Sequence, residues 1–209
     1  MKTLSAVLFL VAAAATAQAQ KMPQKMSRQH VLDHLARMRA TEKGMMNVAP
    51  AEGEYLSDLV KKLKAKRVLE LGTSNGYSGI WFAMGLRETG GRLITLDIDE
   101  GRRSLALKNF RTTGFDDIID SRLTDALKTI PTLQGPFEIV FIDAWKPDYK
   151  KYLEMTLPMV PSGGVIAAHN VDSHPHEMQD FLEAVRTHPQ LRTEWVKVGP
   201  AGMSVSWKK

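Results

Sequence analysis

Short apolar runs alternate with longer amphipathic ones along most of this chain. Val68-Leu69-Glu70-Leu71 is apolar apart from one acid and ends at Gly72, which reads as a short buried strand rather than a helix. A glycine-punctuated turn follows, and Ser78 then opens an amphipathic helical run through Ile80 to Leu86. Leu93 to Asp99 reads as a second strand ending in acids, Arg102 to Arg111 as a helix, and Ile118 to Leu123 as a weak third strand. Phe137 to Ile142 and Gly163 to Ala168 read as buried strands. The tail predicts a helix over Met178 to Thr187, with Phe181, Leu182 and Val185 inward. Two strands, Glu194 to Val198 and Met203 to Trp207, follow it around Gly199-Pro200-Ala201-Gly202. Ahead of the first strand, Ser27 caps a helix with Val31, Leu35 and Met38 at helical spacing, and Tyr55 to Leu63 forms another. Strand alternating with helix predicts an α/β fold, a Rossmann-like doubly wound sheet.

In such a sheet ligands bind where the first strand's carboxyl end opens into its turn. The spacing here, Gly72-x-x-x-Gly76-x-x-Gly79, is not the G-x-G-x-x-G that seats a pyrophosphate. A wider loop carrying Thr73, Ser74 and Ser78, headed by Glu70, suits a ligand without phosphates. The acid can hold an ammonium group, and the helix N-terminus can hold a carboxylate. Asp97, followed by Ile98, lies 25 residues past Gly72, where an acid commonly accepts from ribose hydroxyls. An amino-acid end joined to a nucleoside describes S-adenosylmethionine (SAM). Taken singly, Glu70 and Asp97 are also what strand-end acids meeting solvent look like.

Composition narrows the picture. Met1-Lys2 is a short basic start, Leu4 to Ala15 an apolar run, and Ala17-Gln18-Ala19 an A-x-A cleavage pattern, so residues 1–19 read as a secretory signal. The apolar run is shorter than the roughly 20 residues a bilayer span needs, so no stable membrane insertion is expected. Residues 20–209 then form one exported domain, periplasmic or extracellular. The absence of cysteine excludes disulfide scaffolds and thiol catalysis. The net charge of +5 gathers in clusters such as Lys61 to Arg67. No basic run is interleaved with stacking aromatics, and cations in a last helical turn complement the helix dipole, so no nucleic-acid partner is read.

The segment Met46-Asn47-Val48, with Glu70-Leu71-Gly72 and the Asp143-x-Trp145-Lys146 pattern, resembles the metal-dependent small-molecule O-methyltransferases of the catechol and caffeoyl-CoA type. The resemblance runs from about Met46 to Asp172. It implies a class I methyltransferase fold, seven strands with the last antiparallel, and a small-molecule acceptor with neighbouring, phenolic hydroxyls. Met46 and Val48 would lie over the cofactor, Asp125 and Ala126 would meet the adenine, and Asp143 and Trp145 would line the same crevice. A divalent metal would sit on Asp143 and on the pair His169-Asn170, with Lys146 as general base. His169 stands where the family carries Asp, which leaves three alternatives: a site that prefers a transition metal such as Mn²⁺, one that binds Mg²⁺ weakly, or an empty one. The catechol branch's late Glu has no counterpart here. His30 and His34, and His174 and His176, read as solvated histidines. The chain leaves a homodimer open. The alternatives are an exported ligand-binding protein on the same fold and a nicotinamide oxidoreductase, the latter disfavoured by the missing G-x-G-x-x-G.

Overall fold

A computed structural model describes residues 26–209, and the expected leader 1–19 lies outside the described residues. Helices α1 (Arg28–Thr41) and α2 (Pro50–Leu63) precede β1 (Arg67–Leu71). The chain then alternates through α3 (Tyr77–Thr89), β2 (Arg92–Asp97), α4 (Glu100–Thr113), β3 (Ile119–Leu123), α5 (Ala126–Thr129), β4 (Ile139–Ile142), α6 (Tyr149–Thr156) and β5 (Val165–His169). It closes with α7 (Gln179–Thr187), β6 (Leu191–Val196) and β7 (Met203–Lys208).

The seven strands form one sheet in the order β3-β2-β1-β4-β5-β7-β6. The first five are parallel, and β7 runs antiparallel to both β5 and β6. This is the class I methyltransferase architecture. From β1 the chain winds outward to β2 and β3, then returns to place β4 on the other side of β1. Connections therefore diverge between β1 and β4, and a crevice opens at their carboxyl ends.

Alternation along the central strands divides the core in two. Val68, Ile139, Phe141, Val165 and Ala167 face one layer with Leu56 and Val60 of α2 and Phe82 of α3. Leu69, Leu71, Val140, Ile142 and Ile166 face the other, with Tyr149 of α6 and Phe181 of α7. Phe82 meets Phe141 edge-on at 5.4 Å, and Tyr149 meets Phe181 at 5.5 Å and 90°. Helices α2 and α3 approach closely because Gly85 lies against the Ser57 carbonyl, where a Cβ would come within 2.6 Å.

Ser27 caps α1 by accepting from the His30 N–H, and Val31, Leu35 and Met38 are buried as the spacing requires. The last hairpin differs from its expected bounds. Its first strand starts at Leu191, because that side chain is buried against the core, and it ends at Val196, leaving Val198 exposed in the turn. Phe137 precedes β4 rather than joining it, although its ring is buried. The two α1 histidines are not solvated pendants either. His34 is buried, its Nε2 donating to Asn109 Oδ1 at 2.9 Å, and His30 Nε2 lies 3.1 Å from the Thr112 carbonyl. They pin α1 to α4, and burial lowers the pKa of His34.

Candidate active site

The crevice at the β1/β4 divergence is a cleft of about 530 Å³, within the range that holds a small molecule. Its floor is the turn after β1. Gly72 has φ +103°, and a Cβ there would lie 2.1 Å from the Asp143 carbonyl oxygen, so only glycine lets the β1 and β4 ends close side by side. Ser74 also takes a left-handed φ of 47°, which turns its N–H onto Asp97 Oδ2 at 2.7 Å. Asp97 Oδ1 accepts from the Asp99 N–H at 2.9 Å. The carboxylate is thereby fixed at the end of β2 with lone pairs to spare for a diol.

A second tether holds the loop from behind. Asn75 Nδ2 donates to Glu42 Oε2 at 2.8 Å, and Asn109 Nδ2 donates to the Asn75 carbonyl at 3.0 Å. Glu42 closes α1, so the segment that follows it, carrying Met46, Asn47 and Val48, is anchored across the cleft's rim.

Of the expected cofactor residues, the cleft is lined by Met46, Val48, Gly72, Thr73, Ser74, Ser78, Asp97, Ile98, Asp125, Ala126, Asp143 and Trp145. Gly76 lies outside the lining and packs on Phe110, at the left-handed start of α3. Glu70 lies one layer deeper, fully buried, with Ser78 Oγ donating to its Oε1 at 2.6 Å and Oε2 without a partner. Burial, helped by the nearby charges of Asp143 and Asp97 and opposed by the Ser78 bond, raises its pKa to about 7. Asp125 caps α5 by accepting from the Leu127 N–H at 2.9 Å while it lines the cleft. Met46 and Trp145 are both 67% exposed and Ile98 76%, an apolar rim around a polar floor.

At the β4 end of the cleft stand Asp143 and Lys146. The Lys146 Nζ donates to Asp143 Oδ1 at 3.1 Å and to the Ala144 carbonyl at 3.2 Å, and its side chain is almost buried. His169, at the end of β5, brings Nδ1 to 3.3 Å from Asp143 Oδ2, but the two are not aligned for a hydrogen bond. Its Nε2 lies 3.1 Å from Glu52 Oε2 in α2. Burial opposes charge on His169, yet its two carboxylate neighbours outweigh burial and raise its pKa to about 9. Burial likewise would raise Asp143 and Glu52, but His169, with Lys146 on the Asp143 side, holds both below the usual carboxylate range. Asn170, with φ +66°, turns its amide to Ser173 Oγ at 3.0 Å. His169 and Asn170 do not line the cleft itself. Among the described residues, no three His, Cys, Asp or Glu side chains converge on one metal position. His174 is half-buried, its Nδ1 2.9 Å from Ser173 Oγ, and His176 is exposed.

Sequence reasoning missed Glu52, Glu42, Asn75 and Asn109, and also Arg102 and Tyr152, which line the cleft. Glu52 had one local signal: it follows Pro50 at the third helical position and accepts from the Ala49 N–H at 2.6 Å, half of a capping box.

The sheet order, the reversed β7 and the acid-tipped, glycine-floored cleft define the class I methyltransferase fold. Residues 22–184 match the family model for O-methyltransferases, and the chain belongs to that family. It is similar to a catechol O-methyltransferase of Niastella koreensis, 40% identical over 136 residues, and to one of Mycobacterium tuberculosis, 36% identical over 138. The matches take in 62% and 66% of this chain and span only 61% and 62% of those relatives. An O-methyltransferase of Bacillus cereus, solved in complex with SAH, superposes with a TM-score of 0.78. It is 26% identical, over 88% of this chain and 92% of that one.

Proposed function

We propose that this protein is a SAM-dependent O-methyltransferase acting on a small phenolic acceptor with neighbouring hydroxyls, with Lys146 accepting the acceptor's proton. The observation that carries the reading is that Lys146 and Asp143 stand at one end of the same cleft whose other end carries the anchored Asp97.

SAM fits the residues present. The left-handed Gly72 floor admits close approach, Asp97 has spare acceptor capacity for ribose, and Glu70 Oε2 is a buried acceptor with no partner behind Ser78. When bound, SAM supplies an electrophilic methyl group on a sulfonium. Ser78, backed by Glu70, would hold its amino-acid end, while Ile98, Asp125 and Ala126 would flank its adenine.

A divalent metal does not fit the residues that the resemblance assigns to it. Among the described residues no three His, Cys, Asp or Glu side chains converge on one position, Lys146 Nζ donates to Asp143 Oδ1, the buried His169 ring stands between the Asp143 and Glu52 carboxylates, and the Asn170 amide turns to Ser173.

The chain's own side chains do the rest. Trp145 and Met46 offer an apolar surface for an aromatic ring and keep water from the reacting end. Asp143 fixes Lys146, whose Nζ takes the hydroxyl proton. Orientation of acceptor against donor supplies much of the acceleration.

The test is calorimetric titration of SAM into the protein with and without Mn²⁺ and Mg²⁺, then methyl transfer to vicinal-diol phenols. Micromolar binding, on the order of −8 kcal/mol, is expected. Lys146→Met should lower kcat by about 10²-fold or more while SAM affinity stays within about twofold, as loss of a general base requires. Equal loss of both would refute the base role, and absence of SAM binding would refute the activity.

A further inference from the structure

Four polar side chains, drawn from α2, the end of β5 and the loop after β4, stand in an unbroken row beside the cleft. Glu52, buried on α2, has Oε2 3.1 Å from His169 Nε2. The opposite ring nitrogen, Nδ1, lies 3.3 Å from Asp143 Oδ2, and Asp143 Oδ1 accepts from Lys146 Nζ at 3.1 Å. Both oxygens of Asp143 therefore face nitrogen. Each end of the row is tied down. The Ala49 N–H donates to the same Glu52 oxygen, and Gly199 packs so tightly on that carboxylate that a Cβ there would come within 2.4 Å. Lys146 Nζ also donates to the Ala144 carbonyl, and Asn170 is turned away to Ser173.

We propose that this row takes the place of a divalent cation, so that methyl transfer proceeds without one, and that Glu52 and His169 are positioning residues that hold Asp143 and, through it, Lys146. The inference rests on the transferase reading above and adds to it how the site works with its own side chains. The physical case is one of lone pairs. A ring between two carboxylates presents an N–H to each, because a bare ring nitrogen would set its lone pair against those of the acid. Neither nitrogen is then free to ligate an ion. A hard dication needs oxygens that it can draw to itself, and Asp143 is the one member of the row whose acid lines the cleft. Seating an ion on it would take the carboxylate away from the buried ring or from the almost buried Lys146, a costly exchange in this interior.

The test is methyl transfer to a vicinal-diol phenol by the whole protein after exhaustive chelation, alongside calorimetry with Mn²⁺ alone and with Mg²⁺ alone. The rate should stay within about twofold on chelation and on return of either ion, whereas an ion that polarised the acceptor would be worth about 10²-fold or more. Wild type should take up neither ion stoichiometrically. His169→Asp, which exchanges the ring for a hard ligand beside Asp143, should bind Mg²⁺ and make the rate depend on it. Glu52→Gln should lower kcat by about tenfold, with KM and SAM affinity within about twofold and still no cation effect, since a displaced group costs rate rather than binding. A wild-type rate that falls by about tenfold or more in chelator and recovers with metal overturns the proposal. So does one tightly bound Mn²⁺ in wild type, a result that does not depend on whether either variant folds, and so does a folded His169→Asp that is indifferent to Mg²⁺. Absence of transfer under every condition, with SAM unbound, falls on the transferase reading instead, and the calorimetry with each ion alone still decides whether the row excludes a cation.

Discussion

Glu70 is an acid kept in a place that disfavours its charge, and replacing it by glutamine should reveal this through pH. Its side chain is fully buried, Oε2 has no partner, and its pKa is raised from 4.5 to about 7. Between those values the folded protein binds a proton that the unfolded chain releases, so the group's contribution to stability falls as pH rises through the window. The penalty relative to the unfolded chain is about 0.8 kcal/mol at pH 5 and about 3.3 kcal/mol at pH 8, each pKa unit being 1.36 kcal/mol. Glu70→Gln keeps an acceptor for Ser78 and places an amide where Oε2 had no partner. That fixed cost, about 1–3 kcal/mol, is the same at both pH values and cancels from the comparison.

The stability change caused by Glu70→Gln should therefore become more favourable by about 2.5 kcal/mol between pH 5 and pH 8. At about 2–4 °C per kcal/mol for a chain of this size, the difference in Tm between variant and wild type should move by about 5–10 °C. Thermal unfolding of both proteins at the two pH values measures it directly. SAM affinity should move the other way, because the variant lacks the negative charge behind Ser78, and the loss should be largest above pH 7. A Tm difference that is the same at pH 5 and pH 8 would refute the reasoning.

Gly72→Ala should destabilise by more than about 3 kcal/mol, since positive-φ strain adds to a Cβ set against the Asp143 carbonyl; a melt within 2–3 °C of wild type would contradict it. In metal-free protein, His169 has its pKa raised to about 9, so its contribution is complete below about pH 6.5 and lost as pH rises through 9. That alkaline limb, up to about 3 kcal/mol, should disappear in His169→Gln when Tm is followed from pH 6 to 10. Asp143 and Glu52, held low, contribute in the opposite sense and are lost in acid. Export with cleavage after Ala19 predicts that the protein recovered outside the cytoplasm begins at Gln20, which N-terminal sequencing or intact mass decides.

Most of the architecture was legible because its signals are local. Val68 to Leu71 and Phe137 to Ile142 are apolar runs bounded by turns, and Gly72, Gly76 and Gly79 mark the loop between the first strand and helix. The cleft residues were legible for the same reason: Thr73, Asp97, Asp125 and Asp143 follow strand ends, and topology brings those ends together. Strand limits were less so. Leu191 belongs to β6 because α7 covers it, and that is a tertiary fact.

The polar contacts that tune the site were not legible, and the reason is physical. Glu52 reads in sequence as one acid of the turn ahead of a helix expected to begin at Tyr55, whereas α2 begins at Pro50. His169 reads as an odd residue beside Asn170, with no hint of what stands behind the ring. Only the packing of α2 over β5 and of Gly199 over Glu52 makes them partners at 3.1 Å. The Asp-to-His departure and the buried Glu52 are then one feature rather than two. They set a charged ring between two carboxylates. His169→Gln and Glu52→Gln combined should therefore show strong non-additivity in Tm at pH 7, since ring and carboxylate stabilise each other. Additive losses would mean that the two residues act independently.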